Sequence, residues 1–295
     1  MRWHADSTLG GRRYSAGDPD LDAPSEGVTI DRLIEATLGP FDLPLTVETL
    51  ALTGLIFPPG AAVTAAQGTH LVFVEAGSLT VQEYLIPPPG GAGTPVIDVV
   101  PAGPPVTYEA GESFLVSDVG AAPATVSEAR AEPAAALVVS LLDSRSVTDG
   151  AGIAGALAGS AEIFPLAVEA AARVGPPLNP RGVLDSEPIL VGLERRTYEP
   201  AEADLALVPP FERGDPAARL LAGEAGTVEV RVRTDALYRP DAADPVALTS
   251  GTPVALGPDD QLLVLAPGGI AIRNVVPVSS MVLIESVGVA EDPLS

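Results

Sequence analysis

Hydrophobic positions in this chain come in short runs that Gly and Pro keep cutting, and within the runs they often alternate with polar residues. Leu71 to Val74 is one such run, rich in branched and aromatic side chains, and it predicts a strand. Glu75-Ala76-Gly77 then turns the chain, and the alternation of Leu79 and Val81 starts the next strand, which extends to Ile86. Gly77 stands where a tight turn needs a residue that tolerates positive φ. The same reading gives strands over Leu45–Leu52, Gly54–Phe57, Val96–Val100, Val106–Tyr108, Phe114–Val116, Thr125–Val126 and Ala136–Leu142. Pro58-Pro59-Gly60, the Pro/Gly loop from Pro87 to Thr94, and Ala110-Gly111-Glu112 separate them. Spacing of this kind predicts a sandwich or barrel of about eight strands or more.

Two segments follow a different period. Ile30, Leu33, Ile34 and Leu38 lie at helical spacing, with Thr29 and Asp31 as caps. They predict a short amphipathic helix over 28–38 packed on the first barrel. Residues 143–182 turn to Ala, Gly and Ser and read as a linker, with a helix over Ile163–Val174 that Gly175-Pro176-Pro177 ends. Residues 1–27 are polar and aperiodic and read as a flexible tail, with His4 idle in it.

After the linker the first pattern returns. Leu193–Pro200 aligns with Leu52–Pro59, placing Tyr198 on Phe57, and Arg219–Gly226 aligns with His70–Gly77, with Glu-Ala-Gly identical in both. Val228, Val230 and Val232 continue the alternation. Pro258-Asp259-Asp260 falls on Ala110-Gly111-Glu112, Leu262–Leu265 on Phe114–Ser117, and Met281–Ile284 on Leu137–Ser140. A repeat of about 150 residues means one domain duplicated, since solenoid periods are far shorter. The boundaries that follow are 28–142 for a first barrel with its helix, 143–182 for the linker and 183–295 for a second barrel.

Composition narrows the chemistry. With 46% hydrophobic residues among 295, the chain can bury a core. Thirty-nine acidic residues face 16 basic ones, every one of them Arg, giving a net charge of −23. That excludes nucleic acid and anionic membrane as partners, because both need a basic footprint. There is no Cys, so disulfides, thiolate metal sites and Cys nucleophiles are excluded. No apolar run nears the roughly 20 residues that span a bilayer. The first residues lack the apolar core of a signal peptide. As written the chain reads as soluble and cytoplasmic; a leader upstream of Met1 would make it secreted. No Gly-rich phosphate loop ending in Lys and no Gly-x-Ser-x-Gly elbow occurs, and there are only two His.

The stretch Gly68–Val81, its second copy, and Asn274 in Ala-Ile-Arg-Asn-Val resemble the sequence motifs of the cupin superfamily. The resemblance covers residues 45–142 and 186–289, and implies a bicupin: an all-β protein of two jelly-roll barrels. Cupins with metal chemistry carry a His-x-His pair, a Glu and a third His, which hold a metal with open positions for substrate. Carried over, the Glu position falls on His70 in the first copy and Arg219 in the second, and the His positions fall near Thr64, Ala66 and Ala124 in the first and near Arg213, Asp215 and Ile270 in the second. His70 stands in the Glu position, and an Arg repels a metal. The resemblance therefore implies degenerate motifs, with no metal and no cofactor. A weaker set of His70 with Glu83 or Glu112 is the alternative for a metal.

Four residues are candidates for ligand binding. His70 reads either as a structural imidazole bonded to a neighbour or as a ligand-binding or acid–base group, since its ordinary pKa of about 6.5 suits both roles. Gln67 is its polar companion. Arg213 and Arg219, if both point inward, could clamp a carboxylate or phosphate. Asn274 is expected to cap a turn. The expected function is a non-catalytic small-molecule binding, sensory or scaffolding module. The alternative is a cupin-type oxygenase or isomerase working through an atypical site at His70. The resemblance also allows a homodimer.

Overall fold

The computed structural model describes residues 27–39, 47, 49–65, 68–85, 100–101, 103–117, 124–130, 132–142, 157–170, 189–200, 206–208, 216–232, 234, 236–241, 244–265 and 270–289. Every regular element among them is a strand. The chain divides into two compact units, residues 41–165, and residues 1–40 together with 166–295. Both are cupin-like jelly-roll barrels, built as follows.

The chain enters with β1 (Val28–Leu38). The first barrel then uses β2 (Thr49–Phe57), β3 (Ala62–Ala65), β4 (Thr69–Ala76), β5 (Ser78–Gln82), β6 (Tyr84–Leu85) and β7 (Val100–Pro101). It continues with β8 (Val106–Glu109), β9 (Ser113–Ser117), β10 (Ala124–Glu128), β11 (Ala134–Leu142), β12 (Leu157–Gly159) and β13 (Glu162–Ala170). One sheet has the order β13-β2-β11-β4-β9 and the other β12-β3-β10-β5-β8, with β6 and β7 as a small ribbon. Gly77, at φ 71°, turns the chain from β4 in one sheet into β5 in the other, as the sequence predicts.

The second barrel uses β14 (Ile189–Tyr198), β15 (Ala206–Val208), β16 (Pro216–Ala225), β17 (Val228–Val232) and β18 (Ala236–Arg239). Then follow β19 (Val246–Leu248), β20 (Pro253–Leu256), β21 (Gln261–Leu265), β22 (Ile270–Asn274) and β23 (Ser280–Val289). Its sheets have the orders β1-β14-β23-β16-β21-β18-β19 and β15-β22-β17-β20. The interior is a cluster drawn from both sheets: Tyr198, Leu221, Leu262, Val264, Val282 and Ile284 from the larger, and Val228, Val230, Val232, Ile270 and Ile272 from the smaller. Burial of such apolar area is the main stabilising term, about 25 cal/mol per Å².

The duplication is legible bond by bond. Phe57 sits opposite Ala134 on β11, and Tyr198 opposite Ser280 on β23. Leu71 pairs with Leu115 as Leu220 pairs with Leu263. In the first turn Gly111 (φ 90°) donates to the Val74 carbonyl, and in the second Asp259 (φ 67°) donates to Gly223. Glu112 Oε2 accepts from Glu109 N at 2.7 Å, and Asp260 Oδ2 from Gly257 N at 2.8 Å. One alignment shifts. His70 faces Ser140, and Arg219 faces Ser286, so the last strands match Ser140 to Ser286 and Val138 to Ile284. The sequence alignment of Leu137–Ser140 with Met281–Ile284 is off by two residues. A two-residue slip keeps every side chain on its face, so alternation alone cannot detect it.

Both expected helices are corrected. Residues 28–38 form β1, which pairs antiparallel with β14 and bulges between Arg32 and Ile34. Spacings of four and eight residues, as in Ile30, Ile34 and Leu38, suit a period of two as well as one of 3.6. The β-branched Val28, Thr29, Ile30, Ile34 and Thr37 favour the strand. Past the bulge, Ile34, Ala36 and Leu38 are buried between exposed Glu35 and Thr37. This strand belongs with the second barrel, not the first to which the sequence assigned it. The predicted linker helix over 163–174 is strand β13 as far as Ala170, beside β2 at the sheet edge, where Pro165 is tolerated. With β12 it completes the first barrel, so the segment read as a linker supplies two strands. Residues 1–26, His4 among them, and 171–188 lie outside the described residues.

Candidate functional site

Alternation along each strand decides what points into a barrel. Tyr198, Leu221, Val282 and Ile284 mark the inner face of the second barrel. Arg219 shares that face with Leu221, as do Glu194 and Arg196 with Tyr198, and Ser286 with Ile284. The matched inward positions in the first barrel are His70, Thr53, Leu55, Phe57 and Ser140.

His70 is 1% exposed, and its Nδ1 lies 2.9 Å from Ser140 Oγ on the adjoining strand. The structural role, an imidazole bonded to a neighbour, is what the described contacts give it. The other described carried-over positions of this barrel hold Ala124, which is buried, and half-buried Thr64. Gln67, its expected companion, lies outside the described residues. Glu112 spends a carboxylate oxygen capping the turn at Glu109. Among the described residues no three His, Cys, Asp or Glu side chains gather closely enough to hold a metal ion.

The second barrel brings charge inside. Arg219 is 4% exposed and Arg196 7%. Glu194 Oε2 accepts from Arg196 Nε at 3.0 Å and Nη2 at 2.7 Å, and Glu194 Oε1 lies 3.6 Å from Arg32 Nε at an exposed edge. Glu194 thus pairs with Arg196 and stands near Arg32, and its charge is felt at Arg219. Burial first, and then the neighbouring Arg196, press the Arg219 pKa down to about 10, while Glu194 works the other way.

Tyr198 adds a polar atom to this face. It is 2% exposed, and its hydroxyl has no hydrogen-bond partner among the described residues. Burial pushes its pKa up to about 12, and the nearby Arg196 guanidinium pulls it back in part. Arg213, the expected second arm of a clamp with Arg219, lies outside the described residues, as does Asp215. Ile270 fills the remaining carried-over position and is fully buried.

Sequence reasoning found Arg219 and missed Glu194, Arg196 and Tyr198. The signal was available: in the aligned strands, Thr53, Leu55 and Phe57 become Glu194, Arg196 and Tyr198, each more polar in the second copy. The expectation for Asn274 is met. Its Oδ1 accepts from Val276 N at 2.9 Å and Ser280 Oγ at 3.1 Å, and its Nδ2 donates to the carbonyls of Tyr198 and Val278. Glu128 occupies the matched place in the first barrel, accepting from Arg130 N and Gly60 N.

Fold and site together describe a duplicated cupin-type jelly roll whose described inward residues include buried Arg side chains in the second barrel and a buried His in the first. Among solved structures, the chain is similar to the S161A mutant of oxalate decarboxylase from Bacillus subtilis, at 12% identity and TM-score 0.42, covering 88% of this chain and 73% of that one. It is similar to the 11S allergen from Cocos nucifera at 13% identity and TM-score 0.38, covering 87% and 90%. A third likeness is to the cupin domain of an XRE family transcriptional regulator from Enterobacter cloacae, at 14% identity and TM-score 0.24, covering 35% and 82%. No protein-family model matches the chain, and no curated protein matches it in sequence. At such identities and TM-scores no activity transfers; the fold stands on this chain's own strand order and register.

Proposed function

We propose that this protein is a non-catalytic small-molecule binding module of the cupin type. The observation that carries the reading is the identity of the inward residues where metal-dependent cupins would hold their metal. Ala124 and a histidine bonded to Ser140 occupy them in the first barrel, and Arg219 and Ile270 in the second. A guanidinium offers five N–H donors and no lone pair, so it suits a ligand's oxygens and opposes a cation. The second barrel is the binding barrel on this reading, and the first is structural.

The test pairs metal retention with turnover and ligand binding. The purified full chain is incubated with Fe, Mn, Ni and Zn, desalted, and submitted to elemental analysis, then screened against a small-molecule library by thermal shift. The expected result is no stoichiometric metal, no turnover of the molecules that bind, and at least one ligand that raises the melting temperature. A stoichiometric metal with turnover would replace this reading with an enzyme.

A further inference from the structure

We propose that residues 28–32, the N-terminal half of β1, form a hinged strap that opens the edge of the second barrel beside Glu194, Arg196 and Tyr198. This gives the binding barrel proposed above its entrance, and in that respect rests on that reading. The opening itself is measured without a ligand, so either can fail alone.

The bulge is the hinge. Before it, Val28, Ile30 and Arg32 stand opposite Tyr198, Arg196 and Glu194; past it, Ile34, Ala36 and Leu38 stand opposite Leu193, Val191 and Ile189. Opposite residues of an antiparallel pair share a face. The first half of β1 therefore lies along the inner face, where half-buried Val28 packs against the interior cluster, and the second half along the outer one. A bulge bends its strand and interrupts the ladder, which separates the two halves mechanically.

The halves are held unequally. From Ile34 to Leu38 three side chains are buried; from Val28 to Arg32 none is, and Thr29, Asp31 and Arg32 are exposed. Among the described residues β14 is the one neighbour of β1 in its sheet, so the ladder of the first half runs along an edge. That ladder continues as far as Glu199 N, which donates to the Gly27 carbonyl at 2.8 Å. The Arg32–Glu194 ion pair, at 3.6 Å, has an Arg side chain 50% accessible to water, which screens the attraction. Segments with few buried apolar contacts and a solvent-exposed ladder are the first to open.

The underside is polar. Lifting the strap wets Glu194, Arg196 and the Tyr198 hydroxyl, which has no partner among the described residues. Charged groups and hydroxyls gain hydration on exposure, whereas an apolar face loses burial. In the first barrel the matched residues are Thr53, Leu55 and Phe57, and the same opening there would wet two large apolar side chains.

The experiment follows amide hydrogen exchange in the full chain by mass spectrometry, with fragmentation that separates residues 28–32 from 34–38. Exchange in the first set should be faster by about 10-fold or more. The chain has no Cys, so Thr29→Cys with Thr197→Cys, opposite each other in register, supplies one defined cross-link across the strap. Oxidising that pair should slow exchange over 28–32 by about 10-fold or more, and reduction should restore it. N-acetylimidazole then reads access to the interior by acetylating the Tyr198 hydroxyl, a side chain 2% exposed in the closed barrel. Acetylation should fall about 10-fold with the 29–197 cross-link. It should keep its wild-type rate in a second cross-linked protein, Thr37→Cys with Leu190→Cys, which pins only the anchored half. Equal exchange in the two halves of wild-type β1 overturns the strap. Tyr198 acetylation that is absent from the wild type, or unchanged by the 29–197 cross-link, overturns the entrance.

Discussion

At matched inward positions the first barrel carries Thr53, Leu55, Phe57, His70 and Ser140, where the second carries Glu194, Arg196, Tyr198, Arg219 and Ser286. The central strand order is common to both. Turn glycines, capping carboxylates and strand register recur in each copy. Apart from the shared serine, these inward side chains differ in one direction, toward charge and hydrogen-bond donors in the second barrel. One copy therefore measures what the fold needs, and the other what has been added. Charge at these positions is not needed for stability, because a buried ion pair is often no more stabilising than apolar residues of the same volume.

The opposite face of the same strand sharpens the contrast. Glu285 on β23 matches Val139 on β11, and both are fully buried. Both Glu285 carboxylate oxygens lack partners among the described residues, between Leu193 and Leu220 in register. Burial pushes its pKa up to about 8 from the ordinary 4.5. Below about pH 4.5 the folded and unfolded chains both hold this proton, and the group's contribution to stability is intact. As pH rises from there toward about 8, the unfolded chain ionises while the folded one stays neutral, and each pH unit removes about 1.4 kcal/mol. Substituting the first barrel's residue, Glu285→Val, removes that slope. It should stabilise the protein by several kcal/mol near pH 8 and by much less near pH 4. Urea unfolding across this range measures it; parallel stability profiles for the two proteins would show that Glu285 is not a buried neutral acid.

Next in size come the turns. Gly77 and Gly226 adopt φ of 71° and 68°, so any side chain is strained in either. A Cβ on Gly77 would stand 2.8 Å from the Pro133 carbonyl, and one on Gly226 would stand 2.3 Å from Ser280 Oγ. Ser280 also accepts from Thr227 N and donates to Asn274, so displacing it disturbs a buried network. Gly226→Ala should cost about 3 kcal/mol and Gly77→Ala about 2. Thermal or urea melts of the two variants rank them, and a reversed order would show that the second turn has more freedom than its network implies.

How much of this was legible beforehand follows from what each signal encodes. Turn glycines and alternating apolar runs act locally, so the barrels, their duplication and the place of Arg219 could be read from residues alone. β1 could not. Its spacing of four fits both periods, and its bulge depends on pairing with β14, about 160 residues away. β13 was mistaken for the same reason, with Pro165 the one local sign against a helix. His70 was found, but its bond to Ser140 depends on β4 and β11 lying side by side. Glu194, Arg196 and Tyr198 are hidden in the sequence because the likeness of Leu193–Pro200 to Leu52–Pro59 marks the shared strand, and which of its residues point inward follows only from the paired strands.

Smaller again is the contrast between the two capping residues. Asn274 is buried and binds Val276 N, Ser280 Oγ and the carbonyls of Tyr198 and Val278, whereas Glu128 is half-buried and holds Arg130 N and Gly60 N. Asn274→Ala leaves several buried groups without partners and should cost about 2 kcal/mol; Glu128→Ala, where water can substitute, about 0.5–1. Equal losses, measured by urea unfolding, would mean that burial does not separate the two caps.

The smallest expected effect concerns ion pairs. Arg130 and Glu109 in the first barrel form an exposed pair, with side chains 65% and 48% accessible. Arg195 and Glu224 in the second are 21% and 27% accessible and bonded through two atoms, at 2.7 and 2.6 Å. An exposed pair gains little, because water screens the attraction and two long side chains lose freedom to make it. A bidentate pair partly withdrawn from water loses less to screening. Double-mutant cycles to Ala should give a coupling of at most about 0.5 kcal/mol for Arg130–Glu109 and about 1 for Arg195–Glu224. Raising salt to about 1 M, where the Debye length is about 3 Å, should erase the first coupling and leave much of the second. If both couplings vanish together, the second pair is solvated like the first, and charge in the second barrel is set apart only on its inner face.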